Sequence, residues 1–485
     1  MKNRNGKVWY YFIMKEDSVK IRTRFAPSPT GYIHIGNVRT ALYTYLASKS
    51  QGGEMLLRVE DTDQARFVEG AEKLVLETLQ WLGITWDGEV TRQTERREIY
   101  LEYAKKLIDR GLAYADPYTP EEVEKFRQQA NKEKKPFLYR DFRPENPPKW
   151  QPGMPLRFKV ENPKKYTWQD EVYGELSAGP EALDDFILIK SDGLPTYNFA
   201  HIVDDDDMGV NLIIRGQEYI SSMPRYLSLY DALGIKWPTF AHLPHILNET
   251  GNKKLGKRDG AKSVEQYREE GYLPEAIVNF LAELGWNDGT EQDIYSMDEL
   301  LANFTLTKVH KSSARFDEKR LNWLNGQWIQ RLELDNLYER TQGFWGESAH
   351  NATTQYKKDI LELAQPRMKT LRDLPSLTSF FFTRPQADLA MLDEDKQLKK
   401  LGGPERAELL QATRNKLEGI GNSIWNIGEI QTALNELLEE TNQKPAILFS
   451  LIRYTLTWTP FSPGLPETMV LLGKEETLAR INSDL

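Results

Sequence analysis

Hydrophobic positions near the start of the chain follow two rhythms. Residues 19–25, Val-Lys-Ile-Arg-Thr-Arg-Phe, alternate and predict a strand. After a turn rich in proline and glycine, Val38, Ala41, Leu42, Tyr45 and Leu46 recur at helical spacing from Asn37 onward. Residues 55–59 form an apolar run bounded by Gly53 and Asp61, which predicts a buried strand. Residues 72–81 return to helical spacing and stop at Leu82-Gly83, a C-cap signal. Strand and helix in alternation predict the first half of a nucleotide-binding α/β fold with a parallel sheet. Residues 91–195 break the rhythm with charged helices over 95–111 and 120–133, a proline-rich stretch over 136–155, and short strands over 156–160 and 186–190. This reads as an α+β insertion. The α/β pattern resumes at Leu194-Pro-Thr-Tyr197 and runs through a buried strand at 210–215. From Val264 onward the spacing is largely helical to the C-terminus.

Composition narrows the class. A chain of 485 residues has room for two or more cores. Hydrophobics at 40% and charges at 28% suit a soluble enzyme, and no apolar run reaches the length of a membrane helix, so no membrane partner is expected. No cleavable signal pattern is visible, which points to the cytoplasm. The absence of cysteine excludes disulfides, thiolate metal sites and a cysteine nucleophile. His242 and His245 flank Pro244 with no third ligand in view and read as structural. The run Asp204-Asp-Asp-Asp207 reads as a surface turn after a strand, so no protein-held metal is expected. The net charge of −9 is not that of a non-specific nucleic-acid binder. A local surface is enough, however. Residues 357–384 carry Lys357, Lys358, Arg367, Lys369, Arg372 and Arg384 against three acidic residues.

Two segments carry chemistry. The first is Arg24-Phe-Ala-Pro-Ser-Pro-Thr-Gly-Tyr-Ile-His34-Ile-Gly36, at a strand–turn–helix junction. A helix N-terminus reached through a tight turn cradles phosphate, and His34 beside Gly36 places a donor where backbone can approach a nucleotide. The second is Lys254-Leu-Gly-Lys257-Arg258 between two turn signals, a cluster of cations that suits a departing pyrophosphate.

Together these segments resemble the two signatures of the class I aminoacyl-tRNA synthetases, and the Ala-Pro-Ser-Pro-Thr-Gly string resembles the bacterial glutamyl branch. The glutaminyl branch carries Pro-Glu-Pro-Asn-Gly there. The resemblance runs over nearly the whole chain. It implies a Rossmann-type catalytic domain over 19–90 and 196–250, split by an acceptor-stem-binding insertion over 91–195. A stem-contact domain follows over 251–332, then an all-helical anticodon-binding region over 333–485, behind an N-terminal extension over 1–18. Met14 is the expected natural start. Phe316-Asp-Glu-Lys-Arg-Leu-Asn-Trp323-Leu-Asn325 resembles the stem-contact helix, and Leu471-Leu-Gly-Lys-Glu475 the terminal element.

The implied activity is ATP-dependent activation of L-glutamate and its transfer to the 3′ end of tRNA-Glu, by a monomer. Mg²⁺ would accompany ATP, and no zinc is expected. By the family motifs His34 and Gly36 hold ATP, Lys257 stabilises the transition state, and Lys254 and Arg258 assist. Gly256 stands where the second signature usually has serine, so a hydroxyl donor is missing there. Arg24 and Tyr197 match residues that hold the side-chain carboxylate of glutamate. Arg215 matches another arginine of that pocket, Glu60 the partner of the α-ammonium, and Ala26 and Ser28 further lining. On the residues alone, Arg24 and Glu60 also fit a salt bridge and Tyr197 a core position. His201 sits where some relatives have asparagine. For the anticodon, Arg367 matches an arginine that excludes tRNA-Gln, and Arg453 and Ser462 match further contacts. Trp458 stands where the family often has glycine. Other readings are a small-molecule adenylyltransferase, an RNA-binding paralogue that does not charge, and an enzyme that also charges tRNA-Gln. The long helical half disfavours the first. His34, Lys257, Glu60 and Arg24 together disfavour the second.

Overall fold

The first rhythm forms β1 (Arg22–Phe25), whose turn delivers the chain into α1 (Ile35–Lys49). These elements belong to a computed structural model that describes residues 20–251, 253–256, 262–459 and 462–481. The expected extension over 1–18, Met14 included, lies outside the described residues, as do Lys257 and Arg258. The chain divides into two units, Met1–Val264 with Val278–Asp317 and Glu265–Ile277 with Glu318–Leu485.

In the first unit β2 (Glu54–Val59) lies parallel to β1, with Arg24 level with Leu56, and leads through a loop into α2 (Ala71–Trp81). The predicted stop holds: Gly83 takes a φ of +72°, and the Ile84 N–H reaches back to the Leu79 carbonyl at 2.9 Å. The short strand β3 (Thr91–Arg92) adds parallel to β2. The chain then runs through α3 (Arg97–Asp109), β4 (Ala113–Ala115) and α4 (Pro120–Lys132). In the last of these, Thr119, Pro120 and Glu122 make a capping box with proline in the first turn.

Next come β5 (Leu156–Phe158), β6 (Tyr166–Asp170), β7 (Gly174–Ala178) and β8 (Phe186–Ile189). Strands β4, β5 and β8 form an antiparallel sheet of their own. The β6–β7 hairpin behaves differently and joins a parallel sheet through β6. The last elements that concern the site are α5 (Tyr197–Asp207), β9 (Leu212–Gly216), α6 (Met223–Leu233) and β10 (Thr239–Leu243). Strand β10 is parallel to β9 and sets Arg215 level with His242.

The two parallel sets meet at β1 and β9, where the Asn211 N–H donates to the Arg22 carbonyl at 3.0 Å. The spatial order is therefore β3-β2-β1-β9-β10-β6, and the winding reverses between β1 and β9. Ligands of open α/β sheets bind outside the carboxyl ends at that reversal.

Tyr197 opens α5, beside the strand ends. One expectation changes here. Asp204–Asp207 is not a surface turn but the last turn of α5, with Asp204 and Asp205 buried. Four acids at a helix C-terminus oppose the helix dipole, so buried ones there require cations from neighbouring elements.

The second unit is helical from Glu318 on, in agreement with the expectation. One core gathers Leu409, Leu434, Leu451 and Met469, and another Ile329, Leu361 and Leu374. Among the described residues no helix is long and apolar enough to cross a membrane.

Candidate active site

At the carboxyl ends of β1, β2, β9 and β10 lies a cavity of about 780 Å³. Arg24, Ala26 and Ser28 line it from β1 and its turn, and His34 and Gly36 from the start of α1. Glu60 enters from β2, Tyr197 from α5, Arg215 from β9 and Lys254 from the second signature. The residues expected to bind ATP and glutamate thus converge on one cavity, apart from Lys257 and Arg258.

His34 is the N-cap of α1, and its Nδ1 accepts from the Gly36 N–H at 3.1 Å. That bond puts the ring proton on Nε2. Glycine two residues on has a steric reason, since a Cβ at Gly36 would stand 3.1 Å from His34 Cε1. The imidazole is folded over the bare backbone. Lys254 is half-exposed and pairs with Glu218 at 2.9 Å, and His245 lies 3.7 Å from the same carboxylate.

The side of the cavity lined by Arg24 and Glu60 is held by a buried charge network. Arg24 Nε and Arg58 Nη1 both donate to Asp205 Oδ1, at 2.9 and 2.8 Å. Arg58 Nη2 reaches Glu60 at 3.1 Å. Arg58 is fully buried, inside a strand that the sequence marks as apolar. Burial would push the Asp205 carboxyl up, but Arg24 and Arg58 outweigh it and hold the group at about 2. Glu60 goes the other way: burial raises it above its ordinary value against the pull of Arg58 and Arg24. Asp204 is engaged as well, by Gln93 and Arg96 at 2.8 Å each and by the Tyr100 hydroxyl at 3.0 Å. The acids at the end of α5 are therefore counter-ions of the site.

Burial, helped by the Glu60 charge, holds the Tyr197 hydroxyl well above its ordinary value, so it stays a donor at neutral pH. Its ring stacks on His201, with centroids 4.8 Å apart and planes 15° apart. His201 Nδ1 lies 2.7 Å from the Tyr197 carbonyl, which fixes a proton on that nitrogen. Burial, with Arg215 nearby, drives His201 down to about 3 and keeps it neutral. Arg215 itself is buried, and its Cζ lies 4.8 Å from the centre of Tyr226 and 5.3 Å from that of Tyr219. Its Nη1 has no hydrogen-bond partner among the described residues.

The sequence reading missed Arg58 and took Asp205 for part of a surface turn. The available signal was a lone arginine in an apolar strand and a surplus of acids at the end of a helix.

In the second unit, Arg453 Nε donates to Ser462 Oγ at 3.1 Å. Burial lowers Arg453, and the next cause is the charge of Arg367. The residues expected at the anticodon thus lie close together. Two cations near enough for one to lower the other favour a polyanion. The fourth residue in this stretch, Trp458, ends the helix Pro445–Thr457 at a φ of +45°. That is the left-handed conformation for which glycine is suited.

Known proteins resemble the chain along its length. Residues 20–323 match the family model for the catalytic domain of tRNA synthetases class I (E and Q), and residues 336–485 match an anticodon binding domain. A glutamate–tRNA ligase of Clostridium botulinum is 40% identical over 95% of this chain and 97% of its own. One from Clostridium tetani is 39% identical over 95% and 96%. The crystal structure of a glutamate tRNA ligase from Elizabethkingia meningosepticum, in complex with its amino acid, superposes with a TM-score of 0.84. That match has 33% identity and covers 96% of this chain and 98% of that one.

Proposed function

The chain belongs to the class I tRNA synthetases of the glutamate and glutamine branch, and from that premise we propose that it is a glutamate–tRNA ligase acting on tRNA-Glu. The observation that carries the reading is the single cavity lined both by His34 and Gly36 at the start of α1 and by Arg24, Arg215, Glu60 and Tyr197.

Glutamate brings two carboxylates and an ammonium. Arg24 and the Tyr197 hydroxyl take the side-chain carboxylate, Arg215 adds charge to the same pocket, and Glu60 takes the ammonium. Ala26 and Ser28 close the wall. ATP lies with its phosphates at His34 Nε2 and the N–H groups that open α1, against Gly36. A carboxylate oxygen of glutamate attacks the α-phosphorus, the bond to the bridging oxygen breaks, and pyrophosphate leaves. The 2′-hydroxyl of the terminal tRNA ribose then attacks the acyl carbon and AMP departs. No protein nucleophile is required, so the rate rests on positioning and on stabilising charge. Lys254 serves the pyrophosphate together with Lys257 and Arg258. Mg²⁺ would accompany the ATP phosphates.

In the second unit Arg367, Arg453 and Ser462 read the anticodon, and Arg367 rejects tRNA-Gln. The enzyme works as a cytoplasmic monomer. The test is aminoacylation with labelled glutamate on separate tRNA-Glu and tRNA-Gln transcripts. Charging of tRNA-Glu alone is the expected result. Charging of both removes the discriminating role of Arg367. Charging of neither by folded protein overturns the proposal in favour of an RNA-binding paralogue.

A further inference from the structure

Arg215 is held differently from Arg24 and Arg58. Arg24 and Arg58 are each paired with a carboxylate. The Nε–H of Arg215 instead donates to His242 Nε2 at 3.2 Å, and His242 Nδ1 lies 2.6 Å from Asp170 Oδ2. All three residues are buried.

The topology sets this row. Arg215 and His242 are level in the parallel pair of β9 and β10, and Asp170 ends β6, the next strand. Asp170 also accepts from the backbone N–H groups of Val172 and Tyr173, at 3.0 and 2.9 Å. Burial pushes the Asp170 carboxyl up, but its bonds to His242 and to those N–H groups bring it below its ordinary value. An ionised Asp170 can only accept, so His242 must donate from Nδ1, and its Nε2 is then an acceptor facing Arg215.

A neutral imidazole has one property that a carboxylate in its place would lack. It orients the guanidinium through Nε without neutralising it. Asp170 touches Arg215 only through the ring, among the described residues no carboxylate pairs with Arg215 directly, and its Nη1 is unpartnered. Its Nη2 donates to the uncharged Met223 Sδ at 2.7 Å, and the rings of Tyr219, Tyr226 and Phe240 confine the guanidinium plane.

We propose that His242, oriented by Asp170, is a positioning residue for amino-acid recognition: it fixes the Arg215 guanidinium and leaves its charge for an incoming carboxylate. This rests on the reading of Arg215 as an amino-acid contact.

The test uses the full chain with tRNA-Glu and measures KM for glutamate and for ATP separately in His242→Asn, Asp170→Asn and Arg215→Gln. His242→Asn and Asp170→Asn should each raise the glutamate KM about tenfold or more, as supporting partners of bound groups do, with the ATP KM within about twofold. Adding His242→Asn to Arg215→Gln should cost little beyond Arg215→Gln alone, because the two act as one unit. Silent His242 and Asp170 variants beside a damaging Arg215→Gln overturn the proposal alone. So does an equal rise in both KM values. A silent Arg215→Gln overturns the parent reading, and this proposal with it. A readout that needs no variant is the ¹⁵N spectrum of His242 in the unaltered protein. A proton on Nδ1 is expected, and a proton on Nε2 overturns the proposal.

Discussion

At the scale of single residues, Asp205 bears the largest load. It accepts from arginines 181 and 147 positions away in the chain, and removing one partner of a buried pair leaves a charge with no compensation. Arg58→Met should therefore destabilise the first unit by about 3–5 kcal/mol, read by urea unfolding. The same pairing sets an acid limb. In the folded state Asp205 titrates at about 2, against an ordinary 3.8. Between those values the unfolded chain binds more protons, so the stability contributed by Asp205 is complete above the ordinary value and is lost as pH falls through about 2. His201 adds a window above it. Its folded value is about 3 against an ordinary 6.5, so the unfolded chain takes up the proton first and stability declines as pH falls through that range. Asp205→Asn should flatten the lower part of a stability–pH curve and His201→Asn the upper part. If both curves match the unaltered protein, the charge network does not govern its acid sensitivity.

The motif residues around Arg24, Glu60 and His34 were legible because adjacent positions in the chain also sit together in the fold. Asp205 was not. A run of four acids looks solvated until the cations of β1 and β2, far away in sequence, are folded against it.

At the scale of elements, hydrophobic period was a good guide wherever an element buries one face. The helix Ala71–Trp81 and its glycine stop follow the expected bounds closely. The period says little about which strand pairs with which. The β6–β7 hairpin reads in sequence as part of the insertion, yet β6 extends the nucleotide-binding sheet and brings Asp170 beside His242. That pairing depends on the edge of β10 being open, which no local pattern records. Helix ends offer a cleaner test. Trp458 holds a left-handed conformation at the end of Pro445–Thr457 and packs its ring against the core. Replacing it by alanine or by glycine removes the ring equally, but only glycine is at ease with the backbone. Trp458→Gly should therefore be more stable than Trp458→Ala by about 1 kcal/mol in chemical denaturation. Equal stabilities would show that the backbone relaxes once the ring is gone.

At the scale of the whole molecule, the acidic total charge gives no hint of an RNA partner. Recognition is assigned to local groups in two units, catalytic in the first and cationic in the second. Arg367 and Arg453 repel each other, which lowers Arg453 after burial has done so. An anion placed beside them relieves that repulsion. Arg367→Gln should admit tRNA-Gln as a substrate while charging of tRNA-Glu continues, measured as the ratio of kcat/KM on the two transcripts. An unchanged ratio would remove Arg367 from the discrimination.

The sharing of Asp205 by two arginines has a bearing on redesign. The bonds that shape the proposed amino-acid pocket are also the bonds that dock α5 onto β1 and β2. A protein engineer who randomises Arg24 to accept another amino acid will sample mostly clones that no longer fold. Tyr197 and Arg215 offer a wider choice, because neither is tied to the scaffold by an ion pair among the described residues. Libraries aimed at an altered substrate should begin there and hold Arg24, Arg58 and Asp205 constant.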